Sequence, residues 1–244
     1  MEERLDKILV NKGLISTRVR AEKMIEEVGV KVDGKLINKP GKKIAETAVI
    51  ELIEEELPWV SRGALKLLKA LETWDIPIAG KTAMDLGAST GGFTEVLLSK
   101  DIAKVYCVDV GTNQLHERIK SNPKVIDLQQ THARELTLRH IPEQVGIIVI
   151  DVSFISLEKI FPFLHPFITM GGDIIALVKP QFEAGRENIS KKGIVKNQKL
   201  YPEILEQVKT YALRSNFTVQ ESIESPLLGG DGNREFLMWL KKNN

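Results

Sequence analysis

The 244-residue chain has a single cysteine, Cys107. One cysteine excludes an intrachain disulfide framework and any Cys-rich zinc site. It stands in the apolar run Val105-Tyr-Cys-Val-Asp109, so a buried strand residue is expected. Histidines number four, and none falls in a ligand-like cluster, so no metal is expected. No apolar run approaches the ~20 residues needed to cross a bilayer. The start, Met1-Glu-Glu-Arg-Leu-Asp6, is charged at once and lacks the apolar core of a signal peptide. A cytoplasmic protein without stable membrane association is the expectation. No strongly amphipathic cationic helix stands out, which argues against direct membrane lysis. Neither sign of charge dominates, with 34 Lys and Arg against 33 Asp and Glu. Nucleic-acid binding would therefore have to come from a local patch.

What is present reads as two parts. Residues 1–56 form a small unit. Leu5, Ile8 and Leu9 give a short helical stripe ended near Gly13. Ser16 is a plausible N-cap for a second helix, on which Ala21, Met24, Ile25 and Val28 recur at helical spacing before Gly29. Val30-Lys-Val32 alternates like a strand, and Asp33-Gly34 is a hairpin signal. Another turn is read at Lys39–Lys43 and another strand at Ala48–Ile50. Eleven Lys and Arg stand against five Asp and Glu between Arg4 and Lys43. A charge run is often only a solvated face, but an excess of six in a small unit also suits phosphate contacts. The acidic, Pro-ended stretch Glu54–Pro58 marks a break, with a linker over 57–62 and a second domain over 63–244.

In the second part strand-like and helix-like segments alternate. Strands are expected at 82–87, 104–109, 124–128, 146–151 and 173–179, with helices at 92–99, 156–165 and 199–214. That order predicts an α/β fold, a Rossmann-like and mostly parallel sheet with helices on both faces. Two last strands, near 217–223 and 235–241, are separated only by a Gly-rich loop. They predict an antiparallel hairpin that closes a seven-stranded sheet.

The loop after the first strand carries the strongest signal. Asp85-Leu-Gly-Ala-Ser-Thr-Gly-Gly-Phe-Thr94 is a strand end, a glycine turn and a helix start. Glycines there let the backbone approach a ligand closely. The spacing is neither that of a dinucleotide fingerprint nor that of a phosphate loop. Gly87-x-x-x-Gly91-Gly92 preceded by Asp85 suits a cofactor without phosphates, whose sulfonium charge favours a nearby carboxylate. S-adenosyl-L-methionine is the expected cofactor, held by Asp85, Gly87, Ser89, Thr90, Gly91, Gly92 and Phe93, together with Asp109 and Asp151 at the ends of later strands. Asp109 ends the second strand, where a carboxylate can accept from both ribose hydroxyls of an adenosine. The loop Gln130–Arg134 would flank the adenine; His132 in it reads as an ordinary loop histidine.

The acceptor narrows by elimination. Cys107 is in the wrong strand to be the nucleophile of cytosine methylation. The fourth strand ends in Asp151-Val-Ser-Phe154, without the prolines usual in amine methylation. An oxygen acceptor remains, or an amine handled differently. Asp151 and Lys179 each end a parallel strand, and Glu235 opens an antiparallel one, so all three fall at the carboxyl edge where such sheets bind ligands. Ionisable groups converging beside a cofactor loop mark a candidate active site.

Two resemblances extend this reading. Arg4-Leu-Asp-Lys-Ile-Leu9, Ser16-Thr-Arg-Val-Arg-Ala21 and Gly29–Gly34 resemble the RNA-binding domain of ribosomal small-subunit protein S-four. That resemblance implies that Arg4, Arg18, Arg20 and Lys23 face RNA. Trp59-Val-Ser-Arg-Gly-Ala-Leu-Lys66, the loop Asp85–Thr94, Asp151-Val-Ser-Phe-Ile-Ser156, Lys179-Pro-Gln-Phe-Glu-Ala-Gly185 and Gly232-Asn-Arg-Glu-Phe-Leu237 resemble the TlyA family. Its members are ribosomal RNA 2′-O-methyltransferases, often called hemolysins. Lys196-Asn197 departs from the Arg-Asp that the family pattern leads one to expect after Val195. The second domain is also similar to FtsJ-type 2′-O-methyltransferases. The resemblance implies a catalytic tetrad of Lys66, Asp151, Lys179 and Glu235, with Lys179 as general base, and ribosomal RNA or ribosomal subunits as partners. The rival readings are a methyltransferase for nucleobases or small molecules, a membrane-active cytolysin, and an RNA-binding protein that has lost catalysis.

Overall fold

A computed structural model describes residues 2–54, 57–230 and 232–243. Residues 55 and 56 of the acidic break, and 231 in the Gly-rich loop, lie outside the described residues. The chain divides into two compact units, Met1–Pro58 and Trp59–Asn244.

The first unit runs β1 (Glu2–Arg4), α1 (Leu5–Asn11), α2 (Arg18–Glu27), β2 (Val30–Val32), β3 (Lys35–Ile37), β4 (Lys43–Ala45) and β5 (Ile50–Leu52). Leu5, Ile8 and Leu9 from α1 and Ala21 and Ile25 from α2 pack with Val30 and Val32 in its own core. The cap of α2 is Thr17 rather than the expected Ser16; its hydroxyl accepts from the Arg20 N–H at 3.4 Å. Asp33 and Gly34 both take positive φ, 48° and 75°, and turn β2 into β3 as expected. The strand expected at 48–50 is shifted to Ile50–Leu52, where it pairs with β2. Three-residue strands β1 and β4 pair with each other; they are too short to show an alternating pattern in sequence.

The second unit runs α3 (Ala64–Trp74), β6 (Thr82–Leu86), α4 (Gly92–Ser99), β7 (Lys104–Val108), α5 (Glu117–Lys120), β8 (Val125–Leu128), β9 (Val145–Ile150), β10 (Ile168–Val178), α6 (Pro180–Glu183), α7 (Tyr201–Arg214), β11 (Phe217–Glu224) and β12 (Phe236–Lys242). The seven strands lie in the order β11-β12-β10-β9-β6-β7-β8. This is the Rossmann-like, mostly parallel sheet that the alternation predicts, buried on both faces by helices. β9 reads Val-Gly-Ile-Ile-Val-Ile and is buried along nearly its whole length, as a central parallel strand should be.

The expected closing hairpin is present, and within it β12 is inserted between β10 and β11 and is antiparallel to both. One difference from the sequence reading lies near the site. Residues 156–165, expected as a helix, are a chain of 3₁₀ turns at Leu157–Lys159, Phe161–Phe163 and His165–Phe167. Pro162 and Pro166 explain the change, because each removes a backbone donor that a longer helix would need.

β6 is flanked by β7 on one side and β9 on the other. The chain therefore reverses its direction of winding at β6, and the loops leaving these strands splay apart there. Such a switch point opens a crevice at the carboxyl edge.

Candidate active site

A cavity of about 730 Å³ occupies that crevice, within the usual range for cofactor sites. One wall is Leu86, Gly87 and Ser89 after β6, together with Val108–Val110 after β7. Thr131–Arg134 after β8 and Asp151–Ser156 after β9 form the other walls, with Lys159, Ile160 and Phe182.

Gly87 is where the two central strand ends come together. It takes φ +84°, and a Cβ there would stand 2.5 Å from the Asp151 carbonyl oxygen. Any side chain would force the ends of β6 and β9 apart. Asp109 binds the first wall together. Its Oδ2 accepts from the Ser89 N–H at 2.8 Å and its Oδ1 from the Gly111 N–H at 2.7 Å. An ionised carboxylate has about four lone-pair sites, so acceptor capacity is left for a ligand in the cavity.

The residues expected around a cofactor divide into two groups. Gly87, Ser89, Asp109 and Asp151 line the cavity. Asp85, Thr90, Gly91, Gly92 and Phe93 do not. Asp85 is fully buried, and its Oδ2 accepts from the Thr94 hydroxyl at 2.6 Å. Burial pushes the Asp85 carboxyl up to about 7, against the Thr94 hydrogen bond, and the negative charges of Asp151 and Asp109 add to the rise. It is an interior group and not the cavity-facing carboxylate that the motif suggested. Phe93 packs in the core between helices and sheet. Gly92 serves packing as well, since a Cβ there would strike the Ser61 hydroxyl and crowd the Ala64 nitrogen at the start of α3. Gly91, in the left-handed region, caps the start of α4. Cys107 is buried as expected, hydrogen-bonded with Thr94 at 3.1 Å, and burial pushes its thiol up.

Two ion pairs stand at the same sheet edge. Lys179, immediately after β10, meets Asp151, immediately after β9, with Nζ 2.7 Å from Oδ1. Its Nζ also donates to Ser153 Oγ at 2.8 Å. Lys66, on α3, donates to Glu235 Oε2 at 2.5 Å. Val178 pairs with Phe236 in the antiparallel register, so Glu235 and Lys179 are at the same level on neighbouring strands. The insertion of β12 beside β10 is what brings them there. The Lys66 and Glu235 side chains are only 11% and 3% exposed. A pair so buried survives only if each charge keeps its partner.

Several supporting residues escaped the sequence reading. Helix α3, which carries Lys66, was not anticipated, although Leu67, Ala70, Leu71 and Trp74 repeat at helical spacing and are buried. Trp74 stacks on Trp239 of β12 at 6.0 Å between centroids, tying the two elements that present Lys66 and Glu235. Buried Asn233 accepts from the Val195 N–H at 3.1 Å and donates to the Gly193 carbonyl at 2.9 Å. It thus fastens the 193–195 segment to the stretch leading into Glu235. Phe154 stands on the cavity rim, 91% exposed and at φ +63°. Exposed glycine-like geometry in an aromatic residue has no sequence signature. His132, read as an ordinary loop residue, lines the cavity, and its ring accepts from the Arg134 N–H at 3.1 Å.

In the first unit, Arg4 grips Asp6 with two hydrogen bonds, 3.0 and 2.8 Å. Arg18 adds a third at 2.8 Å and pairs with Glu22 at 3.2 Å. These guanidinium contacts, Arg4 first, hold the buried Asp6 carboxyl well below the usual carboxylate range. Arg20 donates to the Leu57 carbonyl at 3.2 Å. Lys23 is exposed, with Glu27 at 3.9 Å. Arg4, Arg18, Arg20 and Lys23 are thus held by neighbours to different degrees, with Lys23 the most open to solvent.

A family model for the FtsJ-like methyltransferase matches residues 59–242, and one for the S4 domain matches residues 3–50. The chain is 39% identical to the 16S/23S rRNA (cytidine-2′-O)-methyltransferase TlyA of Mycobacterium tuberculosis, over 98% of this chain and 89% of that one. It is 34% identical to Hemolysin A of Brachyspira hyodysenteriae, over 96% and 98% of the two chains. A solved structure from Streptococcus thermophilus that bears the name hemolysin superposes with a TM-score of 0.79 at 40% identity, covering 100% of this chain and 89% of that chain.

Proposed function

The chain belongs to the FtsJ-like methyltransferases, with the TlyA proteins among its relatives, and on that premise we propose that it methylates a ribose 2′-hydroxyl of ribosomal RNA. The observation that carries the proposal is the pairing Lys179–Asp151 and Lys66–Glu235 at the carboxyl edge, beside the switch-point cavity. S-adenosyl-L-methionine is the proposed cofactor, and when bound it supplies an electrophilic methyl group. The cavity suits it: Gly87 brings the ends of β6 and β9 close together and presents no side chain to the wall, and Asp109 on the same wall retains acceptor capacity for adenosine hydroxyls.

The chain's own residues do the rest. Asp151 and Ser153 restrain the Lys179 side chain from two sides. Lys179, acting through its uncharged amine, is the proposed acceptor of the hydroxyl proton as the new C–O bond forms. Glu235 and Lys66, held to each other, orient the ribose. The Lys66 ammonium also counters the negative charge that develops on the attacking oxygen. Phe154, an exposed ring at the rim, offers a flat apolar face to a nucleobase. Residues 1–56 are the proposed RNA-binding domain, with Arg4, Arg18, Arg20 and Lys23 toward the phosphates, and residues 63–244 the catalytic domain. A ribosomal substrate implies work in the cytoplasm.

The test is transfer of labelled methyl groups to separated ribosomal subunits, with nucleoside analysis to locate the label. Label on a ribose oxygen is expected; label on a base, or none in RNA, would refute the reading. Lys179→Ala should abolish transfer and leave cofactor affinity within about twofold, since it removes a transition-state contact and not a binding contact. The hemolysin names of two relatives favour a second reading, direct membrane damage. Among the described residues no helix is long and apolar enough to cross a membrane. Liposome leakage caused by purified protein would support that reading over the first.

A further inference from the structure

The segment after β9 and the segment after β10 are joined at three successive points. Lys179 binds Asp151 and Ser153. The rings of Phe154 and Phe182 lie 5.3 Å apart, tilted by 49°. Glu183, the last residue of α6, then takes the far end: its Oε2 accepts from Ser156 Oγ at 2.6 Å and its Oε1 from the Leu157 N–H at 2.9 Å.

Glu183 is an unusual group to find there. It is 7% exposed, and no ion pair among the described residues includes it. A buried carboxylate without a cation is costly unless its oxygens are hydrogen-bonded, and both oxygens are. Burial pushes its carboxyl up. What it holds is a strained stretch. Phe154 sits at φ +63°, a conformation that is strained for an aromatic residue and persists only where neighbours over-determine it. Ser153 is tied on one side of Phe154, and Ser156 and Leu157 on the other.

We propose that Glu183 is a positioning residue for methyl transfer: its carboxylate clamps residues 153–157 and so sets Asp151 against Lys179 and Phe154 on the cavity rim. Glu183 itself does not line the cavity. The proposal rests on the methyltransferase reading above, but its central contact can be read without any reaction.

Glu183→Gln separates the clamp from the charge. The amide oxygen can accept from the Leu157 N–H, and the amide nitrogen can donate to Ser156 Oγ, which as a hydroxyl also accepts. Both ties survive without the negative charge. Glu183→Ala removes both ties, and Ser156→Ala removes one. The full-length variants are compared by thermal melting, by single-turnover transfer from tritiated S-adenosylmethionine to purified ribosomal subunits, and by amide hydrogen exchange.

In Glu183→Ala the rate at saturation should fall by about 10- to 100-fold, the scale expected of an ångström-sized misplacement. Ser156→Ala should fall by a few-fold, on the order of one lost hydrogen bond, and Glu183→Gln should stay within about threefold of the parent by the same measure. The RNA KM should move less than the rate. Exchange over residues 152–158 should speed up in both alanine variants and not in the glutamine variant, while β6 and β7 stay protected. A folded Glu183→Ala protein with the parent's rate overturns the proposal, as does unchanged exchange at 152–158. A Glu183→Gln protein as slow as the alanine variant overturns the clamp in favour of a charge effect. If Glu183→Ala does not fold, Ser156→Ala and Glu183→Gln decide alone, and parental rate and exchange in Ser156→Ala refute the clamp. If the parent itself transfers nothing to RNA, the functional reading fails, and the exchange measurement still judges the clamp.

Discussion

Replacing Asp85 by Asn should flatten the pH dependence of stability of the catalytic unit. Asp85 is fully buried, with the Thr94 hydroxyl donating to one oxygen and, among the described residues, no hydrogen bond to the other. Burial lifts its carboxyl to about 7 in the folded chain, whereas an unfolded aspartate titrates near ~3.9. The folded state therefore holds the proton more tightly than the unfolded state. Its stability contribution is fully present below pH ~3.9 and is lost as pH rises through ~7. Three units correspond to about 4 kcal/mol in all, of which roughly 2.5 kcal/mol falls between pH 5 and 8. Asn has no proton to lose, so that slope should vanish. Its amide nitrogen would take the place of the oxygen without a partner and cost about 1–3 kcal/mol, but that cost does not vary with pH. Urea unfolding followed by tryptophan fluorescence reports the right unit, because Trp59, Trp74 and Trp239 are the chain's three tryptophans and all lie in Trp59–Asn244. Groups that titrate in both proteins cancel in the difference. Parallel stability curves from pH 5 to 8 would refute the reasoning and show that Asp85 ionises in the folded chain at an ordinary pH.

Glu235→Gln leaves the Lys66 ammonium buried without its counter-charge and should cost about 3–5 kcal/mol, visible as a lowered denaturation midpoint along with lost methyl transfer. Gly87→Ala places a methyl 2.5 Å from the Asp151 carbonyl oxygen at φ +84°; a loss of more than ~1 kcal/mol is expected, together with weaker cofactor binding by calorimetry. Lys23→Ala should weaken ribosomal RNA binding uniformly and lower the salt slope of log affinity by about 0.7–0.9, while the affinity for cofactor stays the same. An unchanged salt slope would remove Lys23 from the RNA contacts.

Much of the catalytic edge was legible because its signals are local. Asp151 and Lys179 each close an apolar strand run, and parallel strands must end on the same side, so their proximity follows from the pattern alone. The Asp33-Gly34 turn and the glycine turn after β6 are equally local, since turn chemistry is decided by a few consecutive residues. Other features were not legible in this way. The helix expected at 156–165 fails because two prolines interrupt an apolar stretch that reads as helical by periodicity. Lys66 was reached through resemblance, and its partner is separated from it by most of the second unit.

The sequence by itself determined the alternation of strands and helices, the glycine loop, the carboxyl-edge placement of Asp151, Lys179 and Glu235, and the basic character of the first unit. Tertiary structure decided the rest. It inserted β12 next to β10, so that Glu235 stands level with Lys179 and meets Lys66. It turned Asp85 inward while Asp109 stayed on the cavity wall. It also closed Glu183 onto Ser156 and Leu157. The physical reason is that periodicity and turn chemistry are properties of neighbouring residues. The side of a wall that a carboxylate faces, and the group that neutralises or holds it, depend on which distant elements pack beside it.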